Sequence, residues 1–133
     1  MPTITNFGGG ATSKPLTVKG TLGCTRAYND ASSPNAALNT YVEIPVGSYS
    51  KATITCTYYY VSGEHMTVAI TKDDTSLFSK SYSASSMTKQ IETSVLSNQE
   101  YDVSGSEKIK IALNSNGYYS NGWVRLTYTA TLS

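Results

Sequence analysis

Along most of this chain apolar and polar residues alternate one for one, and no segment sustains the three-to-four-residue spacing of an amphipathic helix. In Thr53-Ile54-Thr55-Cys56-Thr57-Tyr58-Tyr59-Tyr60, one face carries Ile54, Cys56, Tyr58 and Tyr60, and the other Thr53, Thr55, Thr57 and Tyr59. Met66 to Thr71 alternates in the same way, with Ser62-Gly63-Glu64 as the turn between the two strands. Ile109, Ile111 and Leu113 alternate with Lys108, Lys110 and Ala112. The last segment is the clearest, placing Val124, Leu126, Tyr128, Ala130 and Leu132 inward and Arg125, Thr127, Thr129 and Thr131 outward. A period of two is the signature of half-buried strands.

Weaker strands fill the gaps: Pro15 to Leu22, Tyr41 to Val46, Ser76 to Ser83 and Lys89 to Leu96. Pro45 lacks a ladder donor, which assigns its strand to an edge or a strand end. Turn signals separate the strands at Lys72-Asp73-Asp74-Thr75, Ser104-Gly105-Ser106, Asn116-Gly117 and Asn121-Gly122. About eight short strands, spaced by roughly ten residues, describe a β-sandwich or a barrel, and one polar face per strand favours the sandwich. The expectation is an all-β, antiparallel, two-sheet fold with almost no helix. Residues 1–14, with Phe7-Gly8-Gly9-Gly10, read as a Gly-rich arm or edge strand, 15–133 as one domain, and 24–40 as a surface loop.

Composition sharpens this picture. The 133 residues include 19 Ser and 18 Thr, and 11 Tyr stand against 2 Phe and 1 Trp. Only 14% are charged, with a net charge of +1. A protein that neutralises nucleic-acid phosphates carries a basic excess, so nucleic acid is not an expected partner. No run approaches the roughly 18 apolar residues of a membrane-spanning helix, and Met1 to Asn6 shows no signal peptide. Cys24 and Cys56, without a signal, read as free thiols in a protein made in a reducing cytoplasm.

Catalytic chemistry finds little footing. His65 is the single histidine, and two cysteines 32 residues apart lack zinc spacing. A Cys56–His65 nucleophilic pair conflicts with Cys56 facing the core while His65 sits at a turn. There is no Gly-x-Ser-x-Gly elbow, no calcium loop around Asp73-Asp74, and Gly8-Gly9-Gly10-Ala11-Thr12-Ser13-Lys14 fails the phosphate-loop pattern. The expectation is a protein without enzyme activity, metal or cofactor.

Recognition chemistry remains. Between Leu113 and Trp123, two Asn-Gly steps at Asn116 and Asn121 bracket Tyr118 and Tyr119; Trp123, Arg125 and Tyr59 share the outward parity. Aromatic rings with polar edges among Asn and Ser suit sugar faces and protein contacts alike. Tyr59, Asn116, Tyr118, Tyr119, Asn121, Trp123 and Arg125 are therefore the candidate binding residues.

The stretch Tyr41-Val42-Glu43-Ile44-Pro45-Val46-Gly47-Ser48-Tyr49-Ser50-Lys51-Ala52-Thr53-Ile54-Thr55, with its Gly-x-Tyr-x-Lys between strands, resembles small jelly-roll-like sandwich proteins of tailed bacteriophages and prophages; the closing strand Trp123 to Ser133 is similar in style. The resemblance covers residues 38 to 133. It implies a tail-, fibre- or head-associated virion component, assembled in the bacterial cytoplasm, whose partners are copies of itself or other virion proteins, with a host-surface glycan in some cases. It carries over no catalytic residue. The alternative is a carbohydrate-binding module or lectin.

Overall fold

The computed structural model describes residues 14–26, 39–61, 65–83, 91–115 and 122–133. These form eight strands: β1 (Leu16–Arg26), β2 (Asn39–Pro45), β3 (Lys51–Val61), β4 (His65–Lys72), β5 (Thr75–Ser83), β6 (Ile91–Asp102), β7 (Lys108–Ser115) and β8 (Gly122–Leu132). They build two antiparallel four-stranded sheets, ordered β1-β8-β3-β6 and β2-β7-β4-β5. β1 pairs with β8, β2 with β7, β3 with β6 and β4 with β5. This nesting of a folded-over hairpin is the jelly roll, and the expected all-β sandwich is the observed one.

The two sheets pack through the inward parity of every strand. Ile54, Cys56 and Tyr58 of β3 and Leu126, Ala130 and Leu132 of β8 meet Val68 and Ile70 of β4 and Ile109, Ile111 and Leu113 of β7, all fully buried. Cys56 is a free thiol, and burial pushes its pKa up to about 12. A thiol so rarely ionised is a packing residue and no nucleophile. Gly20 of β1 lies opposite Tyr128, and a methyl built on it would stand 2.7 Å from the Tyr128 hydroxyl oxygen. The missing side chain at Gly20 is thus the space into which the tyrosine folds.

The outer face of the first sheet accounts for many of the hydroxyls. Thr53, Thr55 and Thr57 of β3 stand opposite Thr131, Thr129 and Thr127 of β8. Thr17 and Thr21 of β1 extend two of these rows, with Thr17 and Thr131 hydroxyls 3.4 Å apart. β-branched residues paired across strands stabilise such a face without charge.

The turns at one end are tied together by backbone and side-chain hydrogen bonds. Asp73 and Asp74 take φ values of 46° and 69°, the left-handed pair that a two-residue hairpin turn requires. The Asp73 carboxylate accepts from the Glu107 and Lys108 amides at 3.1 Å, joining the β4–β5 turn to the start of β7. Lys72 Nζ donates to the Asp102 carbonyl at 3.0 Å, and the Asp102 carboxylate accepts from the Ser104 amide at 2.9 Å. That amide, helped by the Ser104 hydroxyl and the Lys72 charge, holds the Asp102 carboxyl below its usual range. A depressed carboxylate adds stability that is present above its unfolded pKa of about 3.9 and is lost as pH falls through the lower folded value. Asp102→Asn is therefore expected to lower the urea midpoint at neutral pH and to shrink its fall on acidification, read from urea titrations at stepped pH.

Four strand boundaries differ from the expectation. β1 continues through Cys24 to Arg26, and β2 starts at Asn39, so only 27–38 remain of the expected surface loop, and those lie outside the described residues. β6 continues past Leu96 to Asp102 because its alternation is broken by bulges: Ile54 faces Gln99, whereas Thr57 faces Ser94. Asn98, at φ 51°, donates its amide to Thr55 Oγ1 at 3.0 Å, and that hydroxyl donates to Asn98 Oδ1 at 3.3 Å. His65 is the first residue of β4, opposite Ser83, instead of part of the turn. The arm expected over residues 1–14 lies, apart from Lys14, outside the described residues.

Candidate functional site

Of the candidate residues, the structure brings Tyr59 and Arg125 together. They face each other across β3 and β8, and the guanidinium carbon lies 5.0 Å from the ring centroid. On its other side Tyr59 faces Glu92 of β6. A hydrogen bond to the Glu92 carboxylate, with some burial, pushes the Tyr59 phenol above its usual pKa, and the Thr127 hydroxyl and Arg125 charge oppose the shift. Ring and hydroxyl are both engaged within one cross-strand row, Arg125–Tyr59–Glu92, that bridges opposite charges through an aromatic ring. Asn116, Tyr118, Tyr119 and Asn121 lie outside the described residues. Trp123 is in β8, its backbone opposite Thr25 and Val61.

The large hydrophobic side chains left exposed among the described residues are two that the sequence reading did not select: Leu16, 47% exposed, and Tyr41, 58% exposed. They belong to two different surfaces.

Leu16 opens β1 at inward parity, opposite the fully buried Leu132. It is exposed because it overhangs the seam where the edge strands β1 and β2 face each other. There Leu16 and Val18 line a largely apolar groove of about 310 Å³ with Val42, Ile44, Pro45 and Tyr49. The four sheet edges differ in how they are blocked. β6 is bulged. β5 carries Lys80 at inward parity, opposite buried Val68, with its ammonium 5.4 Å from the Tyr82 ring centre. β2 ends on Pro45. Bulges, inward charges and prolines all keep other chains from adding to an edge. β1 is an 11-residue strand with unbroken register from Leu16 to Arg26; Pro15 precedes it and Arg26 closes it at inward parity, and the stretch between them carries no bulge, proline or inward charge.

Tyr41 lies on the outer face of the second sheet, opposite Ala112, which in turn faces Ala69. The two alanines make a shallow floor, walled by Tyr41, Lys110, Thr71 and Asn114, enclosing about 570 Å³. Among the described residues there is no cluster of three or more His, Cys, Asp or Glu able to hold a metal ion. No described helix is long and apolar enough to cross a membrane.

No protein family and no curated protein matches the sequence. Among solved structures, the chain superposes on one in the structure of infectious bursal disease virus, Gx strain, with a TM-score of 0.50 and 10% identity, covering 98% of this chain and 37% of that one. It thus spans little more than a third of that chain's length. A virus-like particle of the extra small virus of the giant freshwater prawn Macrobrachium rosenbergii aligns with a TM-score of 0.34 and 12% identity over 98% of this chain and 86% of that one. TmCBM61, solved with β-1,4-galactotriose, gives a TM-score of 0.35 and 13% identity over 92% and 90%. At these identities the likeness is one of fold: the sandwich is of a kind found in a virus particle. The tailed-bacteriophage part of the expectation has no counterpart among these likenesses.

Proposed function

We propose that this chain is a non-enzymatic structural protein of a tailed-bacteriophage particle, tail-, fibre- or head-associated, and that it assembles by pairing its β1 edge with a second copy of itself. The observation that carries this reading is the long β1 edge between Pro15 and Arg26 beside an apolar groove, with Leu16 47% exposed at inward parity. From Leu16 to Thr25 it is the longest edge stretch among the described strands without a bulge, proline or inward charge, which is the pattern of a sheet extended at one place. The jelly-roll fold it shares with a chain of infectious bursal disease virus supports a role in a particle at the level of fold.

Sedimentation of the purified chain is the test. The wild type is expected to be a defined oligomer, and Leu16→Asp a folded monomer, because a charge in the buried strip of a subunit contact leaves the carboxylate without partners. A monodisperse wild-type monomer overturns the assembly reading. Mass spectrometry of purified phage particles tests the location. The second reading, a carbohydrate-binding module, draws on the exposed Tyr41 ring and expects a monomer that binds sugar.

A further inference from the structure

The trough around Tyr41 combines features that neither core packing nor sheet pairing uses. Tyr41 is the most exposed large hydrophobic side chain among the described residues, yet it stands on a well-formed strand, opposite a nearly buried alanine. Small residues at Ala112 and Ala69 lower the sheet surface beside the ring, so its face borders a depression. The volume, about 570 Å³, is within the usual range of small-ligand sites. A tyrosine ring beside a methyl floor gives flat apolar area for the C–H face of a pyranose, and the Asn114 amide and Thr71 hydroxyl give adaptable hydrogen bonds.

Charge narrows the ligand further. Among the described residues the trough is walled by one cation, Lys110, and by no carboxylate. Glu43 stands directly opposite Lys110 across β2 and β7, but it is held by Lys108 at 2.9 Å. Lys110 instead lies over one face of the Tyr41 ring, 5.1 Å from its centre, which leaves the ring's other face for stacking. The cation is thus poised at the platform itself, within reach of an anionic substituent on whatever stacks there. We infer that the outer face of the β2-β7-β4-β5 sheet is a binding site for an acidic glycan, with a hexuronate ring stacked on Tyr41 and its carboxylate paired with Lys110.

This inference does not rest on β1-edge assembly, since the trough and the seam are separate surfaces. The probe is a trimer of α-1,4-linked galacturonate, titrated calorimetrically into the intact chain beside the neutral galactose trimer. The expected result is binding of the uronate that weakens as salt is raised and is at least about tenfold tighter than that of the neutral sugar, a preference of the size one charge-assisted contact gives. Tyr41→Ala should remove binding of both sugars. Lys110→Gln should remove the preference and the salt dependence while leaving residual stacking. Both side chains are at the surface, so the variants should melt with the wild type, and a matching melt confirms that lost binding is local. Equal affinity for the two trimers overturns the acidic assignment. Uronate binding that survives Tyr41→Ala overturns the location. No binding of either trimer, with Tyr41→Ala changing the sedimentation coefficient instead, makes the trough a protein contact and overturns the glycan site.

Discussion

Leu126→Asp is expected to abolish the cooperative unfolding transition, leaving a chain without the wild-type near-ultraviolet circular dichroism. Leu126 is fully buried in β8, between Leu22 of β1 and Tyr58 of β3 in register. The substitution removes a side chain whose loss alone is of the order of 2–5 kcal/mol. It also puts a carboxyl into a mostly apolar core, which costs several kcal/mol more. Against a total stability of roughly 5–15 kcal/mol for a domain, the sum removes most or all of it. A variant that melts within a few degrees of the wild type would show that the inward parity of β8 has been misassigned.

The second large effect is at Tyr58, also fully buried, whose ring stacks on Tyr82 with centroids 4.8 Å apart and planes at 29°. Tyr82 comes from the opposite sheet, so the pair clamps the two layers together. Tyr58→Ala leaves a cavity between them and is expected to cost about 3–5 kcal/mol, with a further contribution of about 0.5–1.5 kcal/mol from the lost ring pair. Guanidinium unfolding should show this as a lower midpoint with an unchanged slope. Tyr82→Phe provides the contrast. The Tyr82 hydroxyl is buried and has no hydrogen-bond partner among the described residues. Removing it keeps the stack and deletes an unsatisfied polar atom, so the midpoint should hold or rise. If Tyr82→Phe instead destabilises as much as Tyr58→Ala, the hydroxyl has a partner and the clamp is more than stacking.

The strands that were legible in the sequence are those in which one face is buried and the register is unbroken. β3 and β8 alternate cleanly because each packs inward on the facing sheet and outward on threonine. The far half of β6 was hidden because two one-residue slips turn Leu96 inward between Val95 and Tyr101, so a fixed period of two loses the strand there. The last turn of β1 was hidden by Gly23 and Cys24, which carry no strand preference of their own and are held by pairing with β8. The jelly-roll order was beyond the pattern altogether, since β1 and β8 meet across nearly the whole chain length.

The surfaces followed the same logic. Tyr59 and Arg125 could be assigned to one face by parity, but their pairing, and the Glu92 that completes the row, depend on strand order. Tyr41 had visible outward parity, as did Ala112 beside Lys110. Nothing local joins residues 41, 69 and 112; only the β2-β7-β4 order makes them one depression. Leu16 read as an ordinary inward residue, and its exposure arises from the edge position of β1.

The threonine rows on the outer face of the first sheet bear on how the protein behaves in bulk solution. Hydroxyls hold water without drawing a counter-ion cloud, so between the few charges of this face, Lys19, Arg125 and Glu92 among them, the threonine rows leave little for dissolved ions to screen. A chain with only 14% charged residues that kept apart by mutual repulsion would clump near its isoelectric point or in brine. One coated with neutral, hydrated alcohols is expected to depend little on salt for its dispersal, and among the described residues the contacts it makes are left to the two places where that coat is interrupted.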